Sequence, residues 1–368
     1  QAEVDHMGRE LQVLGEPVPS VPGKNITLSL DVRLQKVATD AMKGESGAVI
    51  VMNPKTGGIL ALASFPDFDP NLFSGGIDPE NWKRLLENPQ HPMENKAIQG
   101  LYAPGSIFKV VTAYAGLEKG AITPETEYVC NGFFHVKGRS EPFKCWKEET
   151  GHGRVKLHDA IKGSCNVFFY NTGMGAGVDE LHKYASLFRL GKLTGVGLLN
   201  EKAGLIPSSS WKKRVLNEPW YGGETPSMAI GQGYIIVTPL QVINMINILA
   251  NDGMWMPPRL FLEDEGMAPQ LIPLNKEYLS IIRKGMVAVV NEAGGTARKV
   301  QFEEFTVAGT DVLSANPVVM LGDRHQVSFL LWCQRCWKGC RVDRPRCRVG
   351  IFSLLLHVSS VDVNHRLF

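Results

Sequence analysis

Pro104-Gly105-Ser106-Ile107-Phe108-Lys109 opens an apolar stretch whose reading decides the fold. Pro and Gly mark a turn, and Ile107, Val110, Val111, Ala113, Ala115 and Leu117 follow at helical spacing, so a helix over 106–118 is predicted with Ser106 in its first turn. Lys109, three residues on, is a neighbour of Ser106 on that helix. A serine hydroxyl is a weak nucleophile until a base takes its proton. Burial weakens a lysine's hold on its own proton, and the positive end of a helix favours negative charge developing beside it. Ser-x-x-Lys alone is a common pattern, equally explained by an N-cap serine next to a solvated lysine.

Outward from this stretch the chain alternates element types. Upstream, Gly47-Ala48-Val49-Ile50-Val51-Met52 and Ile59-Leu60-Ala61-Leu62-Ala63 flank Asn53-Pro54-Lys55-Thr56-Gly57-Gly58, two apolar runs around a Pro/Gly turn that predict a buried hairpin. Residues 31–42 have helical spacing with Ser29 or Asp31 as N-cap, residues 66–104 are loop-rich, and residues 1–26, rich in Pro and Gly, read as a connector from a region upstream. Downstream, 155–162 is helical in pattern, Ser164-Cys165-Asn166 follows it, Leu240–Leu249 is a helix ended by Asn251-Asp252-Gly253, and a strand pattern returns near 302–309. Helices lying between distant strand patterns predict an α+β, three-layer (α/β/α) domain whose sheet joins remote segments.

The whole composition agrees. With 368 residues, 44% hydrophobic and 21% charged, the chain is that of a globular protein and not a disordered or coiled-coil one. Its net charge of +2 gives no case for nucleic-acid binding, no apolar run approaches the roughly 18–20 residues of a membrane helix, and no signal-peptide pattern opens it.

Ser164 and Asn166, two apart on a tight turn, can face one cleft, the hydroxyl relaying a proton and the amide holding a carbonyl. Ser-x-x-Lys, a Ser-x-Asn-type motif and Lys-Thr-Gly together form the signature of β-lactamases and penicillin-binding proteins. Longer stretches decide between these two. Gly47 to Asn71, ending Phe65-Pro66-Asp67-Phe68-Asp69-Pro70-Asn71, resembles penicillin-binding transpeptidases, as do Ala229-Ile230-Gly231-Gln232-Gly233-Tyr234, Val237-Thr238-Pro239-Leu240-Gln241 and Ala250-Asn251-Asp252-Gly253. Phe133, Trp146, Gly151-His152-Gly153, Phe168-Phe169-Tyr170 and Pro219-Trp220 are similar to the elongation-type, class B branch. The resemblance covers about residues 5–309. It implies an antiparallel sheet between helices with a helical lobe, and a D,D-transpeptidase acting on peptidoglycan stem peptides and acylated by β-lactams. In that scheme Ser106 is the nucleophile, Lys109 the base, Ser164 the relay and Asn166 a substrate or lysine contact, and no cofactor is required. It also implies cell-elongation membrane proteins as partners and the periplasmic face of a bacterial inner membrane as location, the anchor lying outside this chain. A penicillin-sensing module, a catalytically dead product and a β-lactamase are the alternatives.

The third motif departs from the family. The literal Lys55-Thr56-Gly57 precedes the nucleophile and reads as the hairpin's turn. Where the family has Val-Ala-Gly-Lys-Thr-Gly-Thr, this chain has Val307-Ala308-Gly309-Thr310-Asp311-Val312. Gly309 and Thr310 are therefore the candidate substrate-binding residues, without the lysine. Composition changes at the same point: residues 309–368 hold seven Arg, one Lys, four Asp and no Glu, against ten Arg and 21 Lys before them. The expected organisation is a connector over 1–26, a transpeptidase domain over 27–309 lacking its last strands, and an out-of-frame or diverged tail over 310–368.

Seven cysteines are too few for a disulfide scaffold, and they fall into two groups. Cys130, Cys145, His152 and Cys165 supply the ligand types of a Cys3His zinc site. If Ser164 and Asn166 face the cleft, Cys165 between them points back toward the 130–152 loop. A Cys130–Cys145 disulfide and three unconnected thiols remain open. Cys333, Cys336, Cys340 and Cys347 lack paired Cys-x-x-Cys spacing and, with the basic run Arg341–Arg348, are attributed to the tail's composition.

Overall fold

In the computed structural model, residues 2–7, 9–13, 21–263, 266–301, 306–310, 317–322 and 328–333 are described. The expected hairpin forms from strands Gly47–Met52 and Ile59–Phe65, with every residue of the first strand buried. Its turn is set by Asn53, whose Oδ1 accepts from the amides of Lys55 and Thr56. Gly57 sits at φ +75°, and a Cβ there would lie 2.1 Å from the Pro257 oxygen. Lys55-Thr56-Gly57 is thus a packed turn and no part of a catalytic strand.

Five antiparallel strands form the main sheet, in the order Val307–Thr310, Pro317–Gly322, Ser328–Cys333, Gly47–Met52 and Ile59–Phe65. The expectation of a sheet lacking its last strands is corrected here. Two strand-length runs beyond residue 310, Pro317-Val-Val-Met-Leu-Gly322 and Ser328-Phe-Leu-Leu-Trp-Cys333, fill the gap between Val307–Thr310 and the hairpin. The physical reason is ladder pairing: without them both strands bordering that gap would expose unpaired backbone groups. Cys336, Cys340, Cys347 and Arg341–Arg348 lie outside the described residues.

Helix Val32–Ala41, capped by Asp31, lies along Ile59–Phe65, while Lys276–Asn291 packs on Val307–Thr310 and on Leu157–Lys162. Among the described residues, the apolar helices Lys109–Glu118, Asn166–Ala176 and Pro239–Ala250 line the interior. Lys109–Glu118 is buried from Lys109 through Leu117, and Pro239–Ala250 is buried from Pro239 through Leu249, as expected of helices apolar all round. The latter starts with a reciprocal cap in which Thr238 Oγ1 accepts from the Gln241 amide and Gln241 Oε1 from the Thr238 amide. Within the loop-rich 66–104 stretch the structure has a helix, Pro79–Glu87, capped by Asp78; within the 1–26 connector it has a hairpin of Ala2–Val4 and Glu10–Val13. Among the described residues no helix is long and apolar enough to cross a membrane.

Candidate active site and metal centre

Ser106 sits in a 3-10 turn, Gly105–Phe108, that leads into helix Lys109–Glu118. Two contacts hold this turn and helix against Thr225–Ala229 and the loop after it. The Gly105 amide donates to Gly231 O at 2.9 Å, and Thr112 Oγ1 donates to Ala229 O at 2.7 Å. Gly231, at φ +71°, must be glycine for this approach: a Cβ there would lie 2.3 Å from Gly105 O.

Lys109 is 4% exposed, and three neutral oxygens meet its ammonium. Its Nζ donates to Asn166 Oδ1 at 2.6 Å, to Ser164 O at 2.9 Å and to Ser164 Oγ at 3.0 Å. Ser164 Oγ in turn donates to Ser106 Oγ at 3.2 Å. Asn166 Nδ2 donates to Lys144 O, which fixes the amide with its oxygen toward the lysine. The four residues singled out from sequence therefore form one chain, Lys109–Ser164–Ser106, with Asn166 as side partner. Ser164 occupies the left-handed region at φ +51°, which costs a non-glycine residue about 1–3 kcal/mol and persists only where the surroundings enforce it.

Strand Val307–Thr310 runs beside the nucleophile. Thr310 is buried, and its Oγ1 lies 3.5 Å from Ser106 O, so Gly309 and Thr310 stand next to the serine with a hydroxyl at the position where the family carries an ammonium.

Behind Ser164 the four proposed ligands converge. The sulfurs of Cys130, Cys145 and Cys165 and a His152 nitrogen all lie within 4.8 Å of one another, and the three cysteines are buried and free. His152 Nδ1 is 3.5 Å from both Cys130 Sγ and Cys145 Sγ, the edge length of roughly 3.5 Å given by a tetrahedron with Zn–N near 2.0 Å and Zn–S near 2.3 Å. Backbone knots bring them together: Gly151 and Gly132 are both at positive φ, a Cβ added at either would lie 2.1 Å from Cys130 O or Glu148 O respectively, and the Cys145 amide donates to Gly132 O. Cys145 is pushed down to about 3, chiefly by the hydrogen bond from the Cys165 thiol and then, against its burial, by His152; that same bond and burial push Cys165 up. Three sulfurs and an imidazole nitrogen are a donor set suited to a soft divalent cation. His152 Nε2 faces Gly163 O at 3.1 Å, the outward hydrogen bond that leaves Nδ1 free to ligate. The four ligand atoms thus lie together, and Cys130 and Cys145 are not joined by a disulfide.

Sequence reasoning missed the anchors of this site: the Lys144 carbonyl, the Thr112–Ala229 bond and the Trp146 indole, which donates to Gly163 O at 3.0 Å. The Gly231 approach left a signal, a glycine pair in a conspicuous motif; a backbone carbonyl acceptor leaves none.

A serine at a helix start, linked through a second serine to a buried lysine beside a sheet-edge strand, is the layout of the serine–lysine acyl-transfer fold class. The chain belongs to the family of the penicillin-binding protein transpeptidase domain, which it matches over residues 47–309. It is 36% identical over 309 residues to the peptidoglycan D,D-transpeptidase MrdA of Escherichia coli (strain K12), covering 81% of this chain and 48% of that protein. Pseudomonas aeruginosa PBP2, solved in complex with WCK 5153, superposes with a TM-score of 0.78 at 30% identity, covering 95% of this chain and 78% of that one. The complex of Helicobacter pylori PBP2 with MreC gives 0.82 at 28%, covering 98% and 68%. The chain spans about half the length of the curated relative it matches.

Proposed function

We propose that this chain carries a peptidoglycan D,D-transpeptidase site that forms an acyl-enzyme at Ser106 and reacts slowly. The observation that supports it is the hydrogen-bonded chain from Lys109 Nζ through Ser164 Oγ to Ser106 Oγ, at 3.0 and 3.2 Å. In the acylation step Ser106 Oγ attacks the carbonyl of the penultimate D-Ala of a stem peptide. Its proton passes to Ser164 Oγ, whose own proton passes to Lys109 in its neutral form. Collapse of the tetrahedral intermediate expels the terminal D-Ala, which takes that proton back through the same relay. A second stem's amine then attacks the ester, loses a proton to the relay and leaves Ser106 free with a crosslink formed. A β-lactam carbonyl takes the place of the first substrate and leaves a stable ester.

The residue at 310 limits the rate. Removing one preorganised group at such a site commonly costs about 10²–10³ in rate. The same absence favours a second reading, a chain acylated without turnover or catalytically dead. Residues 310–368 are read as a diverged or out-of-frame tail, of which Pro317–Gly322 and Ser328–Cys333 pair into the sheet, behind a connector over 1–26 and a domain over 27–309. The coding DNA around the Gly309 codon tests this, since absence of Lys-Thr-Gly in both other frames removes the frameshift account.

Cys130, Cys145, His152 and Cys165 would hold a structural zinc ion, which needs no part in the chemistry and would fix the loop behind Ser164. The family resemblance makes a cell-elongation membrane protein the expected partner, at the periplasmic face of an inner membrane; the similar H. pylori PBP2 is itself solved in complex with MreC. The test of function is labelling with a fluorescent penicillin in wild type, Ser106→Ala and Thr310→Lys/Asp311→Thr/Val312→Gly. Slow labelling at Ser106, abolished in the first variant and accelerated in the second, is expected. Fast stoichiometric labelling of wild type overturns the impairment, and labelling of Ser106→Ala overturns the site.

A further inference from the structure

We propose that Trp146, which belongs to none of the three motifs, is a positioning residue for Ser164; this rests on the reading of Ser164 as the proton relay. The orientation of one peptide plane, Gly163–Ser164, sets the left-handed φ of +51° at Ser164 and so the direction of its hydroxyl. That plane is held at both ends. On one side the Ser164 amide donates to Ile161 O at 3.1 Å. On the other, Gly163 O accepts from Trp146 Nε1 at 3.0 Å and from His152 Nε2 at 3.1 Å. An indole has a single donor and no acceptor, so the whole polar capacity of Trp146 goes to this carbonyl, whereas His152 also contacts Cys130 and Cys145.

The ring is fixed without being buried. It stands edge-on to His152 with centroids 5.4 Å apart, Lys147 Nζ lies 5.2 Å over its face, and 40% of the residue is exposed. A partly exposed side chain that directs its only polar atom inward at the peptide leading into a strained residue is placed to enforce that strain. Loss of the N–H leaves the carbonyl with one donor, and Ser164 Oγ no longer stays 3.2 Å from Ser106 Oγ.

Two variants of the whole chain test this: Trp146→Phe, and β-(3-benzothienyl)alanine at position 146, which keeps the bicyclic shape and removes only the N–H. Labelling by fluorescent penicillin over a range of concentrations separates the acylation constant from the half-saturating concentration, and a crystal structure of each variant gives the Ser164–Ser106 distance. The expected result is an acylation constant lower by about 10–100-fold, as for a misplacement near 1 Å, with half-saturation and melting temperature unchanged and the Oγ–Oγ distance beyond hydrogen-bonding range. An unchanged acylation constant overturns the proposal, as does an unchanged Oγ–Oγ distance, which decides the matter even for a chain too slow to label. A fall in melting temperature matched by the fall in labelling, in both variants, also overturns it by showing a structural role alone. Ser164→Ala is the control on the underlying reading: wild-type labelling in that variant sinks the relay, whereas slowed labelling there with unaffected Trp146 variants sinks only the role of Trp146.

Discussion

Gly231→Ala should be among the most damaging single-methyl changes in this protein. Gly231 has φ +71°, and a Cβ built on it lies 2.3 Å from Gly105 O, 2.7 Å from Phe108 Cβ and 2.8 Å from Gly105 N. The left-handed backbone costs an alanine about 1–2 kcal/mol. The contacts are mostly backbone, so no rotamer change relieves them, and overpacking of this kind adds about 1–3 kcal/mol. Together the change costs roughly 2–5 kcal/mol of the about 5–15 kcal/mol that stabilises a folded domain. Gly120 supplies the internal control. It has φ +69° and nothing within 4 Å of the added Cβ, so Gly120→Ala carries the backbone cost alone. Urea unfolding of both variants isolates the close approach as their difference, expected at about 1–3 kcal/mol with the m-value unchanged. The Ser106 turn lies against Gly231, so penicillin labelling of folded Gly231→Ala should fall as well, and that of Gly120→Ala should not. A Gly231→Ala protein no less stable than Gly120→Ala refutes the reasoning.

Asn166→Ala removes a 2.6 Å partner of the Lys109 ammonium, and Lys109→Ala removes the base itself; penicillin labelling should fall by about 10²–10⁴ in Lys109→Ala, and less in Asn166→Ala. Chelation of purified protein, or Cys130→Ser, should lower the melting temperature by about 2–4 °C per kcal/mol of metal binding lost, and metal analysis should find one zinc per wild-type chain; a metal-free chain with an unchanged melting temperature contradicts the site. Asp31→Ala should cost about 1 kcal/mol at neutral pH through loss of the cap on Val32–Ala41. Burial of Asp31 works against its charge, but Arg33 and the amides of Leu34 and Arg33 outweigh it and hold the carboxyl below its ordinary 3.8. Its stabilisation is therefore complete above that value and is lost as pH falls through the lower folded value, so melting curves of wild type and Asp31→Ala should converge only in strong acid.

The parts legible in the sequence are those in which local spacing fixes geometry. Ser106 and Lys109 are one helical turn apart, Ser164 and Asn166 flank a residue that must point away, and that residue, Cys165, does meet Cys130, Cys145 and His152 as the spacing suggested. The turn at Lys55-Thr56-Gly57 was readable from its place before the nucleophile. The helix Pro79–Glu87 is not read from sequence although Asp78-Pro79 is a start signal and Trp82, Leu85 and Leu86 keep helical spacing, because the segment is short and mostly polar and buries only Leu85. Strands Pro317–Gly322 and Ser328–Cys333 are hidden for another reason: they follow the change of composition after Gly309, and the second of these short runs completes the sheet only by pairing with Gly47–Met52, remote in sequence. The Gly163 carbonyl had no sequence signal, since any residue supplies a carbonyl, even though its donors Trp146 and His152 stand in the stretches that carry the resemblance.

The central claim is that Ser106 is the acylated residue of a slow serine–lysine site. Incubation of the whole chain with penicillin, followed by intact-protein and peptide mass spectrometry, tests it most directly. The account predicts a single adduct on the Ser106 peptide, absent from Ser106→Ala and accumulating about 10²–10³ more slowly than on the E. coli relative. An adduct on another residue, or an adduct that forms as fast as on that relative, would contradict it.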